Sequence, residues 1–369
     1  MKKILFSLVM AATLMVSCQD NYWNIFGKDS DVNVVLKVTS PHMDSTRSDA
    51  AGLDSALGAI DNFDRNEMLW EEYDLRYILK IYEVVTAGAT TTTSEQAIYS
   101  DTIIQDRYDS SESAKGITFK TRLVPQRKYK FVIWADFVKR NAQGAIIMEH
   151  YNVADMRNIT RMTDFAHTAM EEALDAYHIS FTEEIDGAVS LNAQLTRPMA
   201  KLRVVATDAH EISGYSIPAK VDVTFDTEIN PVYRVFDAVS NALPIEGNCT
   251  ECTYSLNVNP APYNDYTGTT EEGEAITGVV LFSDYFFAQR PINENDNEQA
   301  VSFSMDIYDH KELPIRSIKF DTNIPISRNH LTTIVGNCLT QSVGIDIKID
   351  DTLLNHTETF EGGDDYDIE

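Results

Sequence analysis

Apolar and polar residues alternate with a period of two over much of this 369-residue chain, which predicts β-strands. In residues 32–38 the alternation places four apolar side chains on one face, namely Val32, Val34, Leu36 and Val38. Residues 75–83 repeat the pattern, and a hairpin is predicted over residues 116–138. Five consecutive apolar residues begin at Phe131 in that hairpin, so we expect a strand buried on both faces with Trp134 in the core.

The second half of the chain continues the pattern at intervals typical of antiparallel β-sandwiches. Its predicted strands are residues 188–195, 221–225, 278–287, 301–308, 315–320 and 343–350. Pro198 cannot donate a ladder hydrogen bond, so it belongs at a strand edge or a domain boundary. The fold class is therefore predicted to be mainly β, with two tandem antiparallel β-sandwich domains over residues 32–195 and residues 196–350.

One segment departs from the two-residue period. Apolar residues between Phe165 and Tyr177 recur at the spacing of an amphipathic helix, and Thr163 or Asp164 stands where such a helix would be capped. The first domain is therefore expected to contain one short helix.

The first residues of the chain predict how the protein is attached to the cell. Two lysines precede an apolar run over residues 4–16, which is typical of an export signal and too short to span a bilayer. Ser17 and Cys18 follow and resemble the lipobox of bacterial lipoproteins, in which the signal is removed and the cysteine is acylated. We expect a signal peptide over residues 1–17, a lipid on Cys18 and a spacer over residues 18–31. An ordinary secretory signal is the alternative.

Charge and cysteine content narrow the choice of partners. The formal net charge is −27, which disfavours nucleic acid and anionic lipid headgroups as partners. Residues 351–369 form an acidic tail that is too polar to build a core. Only Cys249, Cys252 and Cys338 follow Cys18, so disulfides cannot be the main source of stability in a chain of this length.

The sequence offers little catalytic chemistry. It lacks the His-Glu-x-x-His, Gly-x-Ser-x-Gly and glycine-rich phosphate-binding motifs. Cys249 and Cys252 form a Cys-x-x-Cys pair, but the second ligand pair of a zinc site is missing, so the pair is either a local disulfide or two thiols. We therefore predict no enzyme activity, no metal and no cofactor.

Three motifs resemble a known family. They are Lys-Phe-Val-Ile-Trp-Ala-Asp at 130–136, Arg-Pro-x-Ala-Lys-Leu-Arg-Val at 197–204 and Arg-Asn-His-Leu-Thr-Thr-Ile-Val-Gly at 328–336. These stretches are similar to the fimbrillin-like lipoproteins of Bacteroidales, which include shaft, tip and anchor subunits of fimbriae. The resemblance covers residues 30–350 and implies two transthyretin-like β-sandwiches in a surface-exposed outer-membrane lipoprotein. It also implies a structural or accessory role in pilus assembly or adhesion, and no catalysis.

The resemblance suggests a way of assembly. In such pilins an arginine-directed protease removes the strand nearest the tether, and an extended segment of another subunit fills the groove. Here residues 32–38 are the candidate first strand, and Arg47 is the candidate cleavage site. The donor would be residues 343–350, with Ile345, Ile347 and Ile349 entering the groove. In the alternative, which the cost of loop closure favours, this strand closes its own domain.

A glycan-binding surface lipoprotein is the second functional class. It would need exposed aromatic side chains on loops, and Trp70, Tyr263 and Tyr266 are the candidates. The expected partners are therefore the membrane, through acylated Cys18, together with either fimbrial subunits or a surface glycan.

Overall fold

The computed structural model describes residues 31–39, 72–87, 90–106, 117–162, 172–212, 217–228, 230–244, 252–259, 264–269, 275–289, 299–340 and 345–350. Most of these residues lie in β-strands, which confirms the mainly β prediction. Two short 3-10 helices, Glu172–Leu174 and Ala209–Glu211, lie among the strands. No helix in this part of the chain is long and apolar enough to cross a bilayer.

The first half of the chain forms two sheets. Its strands are β1 Val32–Thr39, β2 Asp74–Ala87, β3 Thr90–Thr93, β4 Tyr99–Gln105, β5 Ile117–Leu123, β6 Arg127–Arg140, β7 Ile146–Glu149, β8 Tyr151–Asn152, β9 Ile159–Arg161, β10 Ala176–Ile185 and β11 Val189–Gln194. Sheet A has the order β11-β1-β5. Sheet B has the order β10-β6-β2-β3, with β4 also paired to β2 and β7 paired to β6.

The second half repeats this two-sheet arrangement. Its strands are β12 Met199–Ala206, β13 Pro218–Phe225, β14 Val235–Phe236, β15 Cys252–Asn257, β16 Asp265–Thr269, β17 Ala275–Phe287, β18 Gln299–Asp309, β19 Pro314–Ile326, β20 Leu331–Gly336 and β21 Ile345–Asp350. Sheet D has the order β15-β13-β18-β19, and sheet E the order β16-β17-β12-β20-β21. A small sheet C, of order β14-β9-β8, contains strands from both halves.

Each pair of sheets encloses its own hydrophobic core. The core between sheets A and B ends in sequence at Leu195, and the core between sheets D and E begins at Ala200. A third cluster packs the outer face of sheet B against the second half and includes Trp134, Phe236 and Phe287. Trp134 is fully buried, which confirms its prediction as a core residue. The two halves therefore share an apolar interface.

The strand directions differ from the sequence prediction. β1 runs parallel to β11, and β12 runs parallel to β20, so the sheets are not purely antiparallel. Alternation specifies which face of a strand is buried, but it carries no information on the direction of the neighbouring strand.

The predicted helix is wrong over the part that the structure describes. Glu172–Leu174 makes a single 3-10 turn, and Tyr177 lies in β10. In that strand Tyr177 faces the core between sheets A and B, while His178 points to the opposite face and contacts Phe236. The start of the predicted helix, residues 163–171, lies outside the described residues.

Candidate functional site

β1 lies in the middle of sheet A. It pairs antiparallel with β5 from Val32 to Val38, and parallel with β11 from Val34 to Thr39. Val34, Leu36 and Val38 are at most 1% exposed, and Val32 is half-buried at the start of the strand. The strand and the buried face predicted from the alternation are therefore confirmed.

The two neighbours of β1 are linked through it. In the order of sheet A, β11 and β5 each hydrogen-bond to β1 rather than to each other. Phe119 and Leu123 of β5 and Ala193 of β11 belong to the same core as the buried face of β1. Removing β1 would open a slot one strand wide, with an apolar floor and two rims of unpaired backbone groups. Donor-strand complementation, one form of strand addition, fills a slot of this kind.

The candidate donor strand, β21, is paired within its own half of the chain. It runs antiparallel to β20 at the edge of sheet E, with Ile345 opposite Gly336 and Asp350 opposite Leu331. This pairing agrees with the alternative prediction, in which the strand closes its own domain because this has the lower cost of loop closure.

A buried aspartate anchors the chain just before β21. Asp208 is 1% exposed and follows β12. Its carboxylate accepts hydrogen bonds from the N–H groups of Leu339 at 3.0 Å and Thr340 at 2.6 Å, and from the Thr340 hydroxyl at 2.8 Å. This role was not predicted, because an isolated aspartate after a strand is usually a turn residue. Residues 339–340, which follow β20, are therefore held to the end of β12.

The interface between the halves combines aromatic packing with a buried ion pair. The Trp134 ring centroid lies 5.4 Å from that of Tyr151 and 6.4 Å from that of Phe287. Arg161 Nη1 lies 2.9 Å from Asp284 Oδ1, and these side chains are 7% and 0% exposed. The ion pair joins β9 of the first half to β17 of the second.

Burial shifts the pKa values of two interface side chains. His178 donates a 2.8 Å hydrogen bond to the Ala238 carbonyl, and desolvation lowers the pKa of His178 to about 3, so the ring is neutral at physiological pH. Desolvation alone would lower the pKa of Arg161, but neighbouring groups, Asp284 first, raise it above its ordinary value. Arg161 therefore carries its charge inside the interface.

A second buried ion cluster lies on the outer face of sheet B. Arg76 donates to both carboxylate oxygens of Asp136, at 2.9 and 2.7 Å, and to Glu149 at 2.7 Å. This cluster was not predicted from the sequence. The available signal was Asp136 itself, because an acid that directly follows five consecutive apolar residues is expected to be buried within the strand and to need a cationic or hydrogen-bonding partner there.

Five predicted or discussed residues lie outside the described part of the chain, namely Cys18, Arg47, Trp70, Cys249 and Tyr263. Cys252 lies buried in β15, with its Sγ 3.4 Å from the Tyr254 hydroxyl. Cys338 is a buried thiol, and desolvation raises its pKa to about 12. The described residues contain no group of three or more His, Cys, Asp or Glu side chains arranged to hold a metal ion.

Tyr266 does not occupy the exposed loop expected for a glycan contact. It lies in β16, is 9% exposed, and its ring centroid is 4.9 Å from the guanidinium carbon of Arg203. A sugar ring could stack on Tyr266 only if this packing were disrupted.

The described architecture is that of a mainly β protein with two sandwich-like halves. The chain belongs to the family of unknown function DUF6562, whose model matches residues 27–368. A search of curated proteins finds no significant match.

The chain also matches solved structures at low identity. A candidate adhesin from Bacteroides thetaiotaomicron is 11% identical, with a TM-score of 0.41 and coverage of 87% of this chain and 97% of that one. The tip fimbrial protein Mfa3 from Porphyromonas gingivalis is 12% identical, with a TM-score of 0.36 and coverage of 87% and 99%. A fimbrial assembly protein from Parabacteroides distasonis is 12% identical, with a TM-score of 0.35 and coverage of 87% and 95%.

Proposed function

We propose that the protein is a subunit or accessory protein of a fimbria that reaches the cell surface with a lipid anchor, and that a copy cleaved at Arg47 joins a neighbouring subunit by exchange of β1. The observation that carries this proposal is the position of β1 between β5 and β11, with one face buried in the core. A strand in that position can be replaced by a strand of another chain while the remaining pairings are kept. The proposal assigns no catalytic step.

The buried face of β1 sets the energy that a replacement strand must supply. Val34, Leu36 and Val38 are almost fully buried, and burial of each such side chain contributes about 1.5–3 kcal/mol. The three together contribute roughly 5–9 kcal/mol, which is an upper estimate for the apolar part of the exchange. Loss of β1 would also leave its ladder partners on β5 and β11 unpaired.

The segment 345–349 has the spacing that the slot needs. Ile345, Ile347 and Ile349 recur at every second residue, as Val34, Leu36 and Val38 do. Among the described strands of its own chain, this segment pairs with β20 alone, on one side. An edge strand of this kind can leave its sheet at a lower cost than a central one.

Anchoring and exchange are mutually exclusive states of one copy. Arg47 lies between β1 and β2 in sequence, so cleavage there would separate β1 and the lipid on Cys18 from the rest of the protein. A cleaved copy would accept a donor strand but lose its lipid. An uncleaved copy would stay anchored, with its slot filled by β1, and could act only at the base of a fibre.

The exchange can be tested with an arginine-specific protease and a labelled peptide of residues 343–350. We expect the peptide to bind the cleaved protein and to co-purify with it as β1 leaves. Matched controls are the Arg47→Ala protein and a peptide carrying Ile347→Asp, which places a charge in the apolar slot. Equal binding of both peptides, or release of β1 without peptide binding, would contradict strand exchange.

The anchor is tested separately by palmitate labelling of cells. Cys18→Ala should abolish labelling and release the protein from the membrane fraction, while Cys338→Ala should leave both unchanged. An unlabelled native protein that is freely secreted would remove the lipid anchor from the proposal.

A further inference from the structure

Sheet A differs in charge from the rest of the chain. Its three strands contain Lys37, Lys120 and Arg122 and no aspartate or glutamate. The whole chain, in contrast, has a formal net charge of −27. A basic sheet in so acidic a protein is a marked segregation of charge.

The three cations share the outer face of the sheet. Residues paired directly across a ladder point to the same side, and Lys37 is opposite Thr118, Lys120 opposite Val35 and Arg122 opposite Asn33. Since Val34 and Leu36 point into the core, Asn33, Val35 and Lys37 point outward. Lys37, Lys120 and Arg122 are all exposed, and diagonal neighbours on such a face are about 7–8 Å apart.

Two of these cations have no carboxylate partner in the described part of the chain. Other exposed lysines do have one: Lys128 lies 3.5 Å from Glu184, and Lys139 lies 3.0 Å from Glu72. Lys37 and Lys120 form no ion pair with any described residue. Arg122 donates to the backbone carbonyl of Asp31 at 3.1 Å. The face therefore offers positive charge to an external anion.

The chain itself contains a complementary segment. Residues 351–369 include seven aspartates and glutamates and no lysine or arginine, together with Phe360 and Tyr366. This segment follows β21, which belongs to sheet E in the second half. The outer face of sheet A points away from that half, because sheet B lies between them and packs on it through the Trp134 cluster. The chain's own tail therefore starts on the far side of sheet B, whereas the tail of a neighbouring molecule could approach this face directly.

We propose that the outer face of sheet A is a docking site for residues 351–369 of a second copy of this chain. The contact is electrostatic and positions the neighbour's β21 close to β1 before any strand is exchanged. It uses sheet A with β1 in place, so it is tested on the uncleaved protein. Its failure would leave strand exchange open, and failure of strand exchange would leave this contact open.

The test is binding of a fluorescent peptide of residues 351–369 to the full mature chain at low salt. Lys37→Gln, Lys120→Gln and Arg122→Gln combined should weaken binding about tenfold, as expected for loss of three exposed charge pairs. The matched control combines Lys128→Gln, Lys139→Gln and Lys220→Gln, which removes the same charge from other sheets and should change binding less than about twofold. Equal effects of the two triple variants would overturn the proposal.

Sedimentation of the unmodified chain distinguishes the source of the tail. We expect concentration-dependent self-association that high salt suppresses. It should disappear when the seven acidic residues of the tail are changed to Asn or Gln. Association should return when a chain with Lys37→Glu, Lys120→Glu and Arg122→Glu is mixed with one whose seven tail acids are changed to Lys. The proposal is overturned if the protein is a monomer that binds the peptide only after the acids of its own tail are neutralised. In that case the tail occupies sheet A of its own chain. Binding of phosphatidylglycerol vesicles, but not of the peptide, would assign the face to an anionic membrane instead.

Discussion

Replacing Asp284 with Ala should destabilise the protein far more than removing a surface acid. The Asp284 carboxylate is 0% exposed and lies 2.9 Å from Arg161 Nη1, and the Arg161 side chain is 7% exposed. Arg161 keeps its charge in the variant, because a guanidinium is too basic to lose its proton inside a protein. A buried guanidinium would then lose its carboxylate at the junction of the two halves. Breaking a buried pair in this way costs about 3–5 kcal/mol.

An exposed ion pair between a basic and an acidic side chain serves as the control. Lys128 and Glu184 are 3.5 Å apart and are 54% and 53% exposed, so Glu184→Ala should cost less than about 0.5 kcal/mol. Replacing the whole buried pair, by Arg161→Met with Asp284→Leu, should recover most of the loss, because no uncompensated charge remains.

Equilibrium unfolding in guanidinium chloride measures these differences, followed by far-UV circular dichroism and by the emission of Trp134 in a background with Trp23→Phe and Trp70→Phe. The Asp284→Ala variant should also show two separate transitions, because Trp134 reports the interface while circular dichroism reports all strands. If Asp284→Ala lowers the free energy of unfolding by less than about 1 kcal/mol, or if Glu184→Ala lowers it equally, this ion pair does not stabilise the interface as argued.

Asp208→Ala should lower the free energy of unfolding by about 2–4 kcal/mol, because the buried N–H of Leu339 and the partly buried N–H of Thr340 lose a charged acceptor, and it should speed hydrogen exchange in β21 more than in β1. The pKa of His178 is about 3 in the folded protein and 6.5 in the unfolded chain, so the folded state binds fewer protons between these values. Stability should therefore fall as the pH drops from about 6.5 towards 3, and His178→Gln should remove this part of the fall in unfolding experiments at successive pH values. Tyr266→Ala should cost about 3 kcal/mol without changing retention on immobilised polysaccharide, whereas lost retention at unchanged stability would favour a glycan-binding function.

The alternation of apolar and polar residues predicted the buried face correctly in β1, where one face of the strand is buried. It identified the inward face of β1 correctly, because Val34, Leu36 and Val38 all enter the core. It also placed Trp134 in the interior, but it could not show that this side chain packs against the second half of the chain. That contact depends on Phe236 and Phe287, which are 102 and 153 positions away, and local sequence patterns carry no information on contacts at such separations.

The differences between the sequence predictions and the structure have physical causes. The spacing of Ala173 and Tyr177 fits a helix, yet the alternating burial of Tyr177 and His178 between two cores outweighs that preference. Tyr266 lies within a stretch rich in proline and threonine, residues 250–273, and its position in β16 is set by pairing with β17. The polar contacts of Asp208, Arg161 and Arg76 join residues that are distant in sequence, so no short sequence motif predicts them.

The position of β1 has a mechanical consequence. A pulling force applied through the residues that precede Val32 would act along the length of β1, which is hydrogen-bonded on both sides from Val34 to Val38. Those bonds would be loaded together in shear rather than opened one after another from an end. The same strand that can be exchanged after cleavage would therefore be the element that bears tension while the chain is intact.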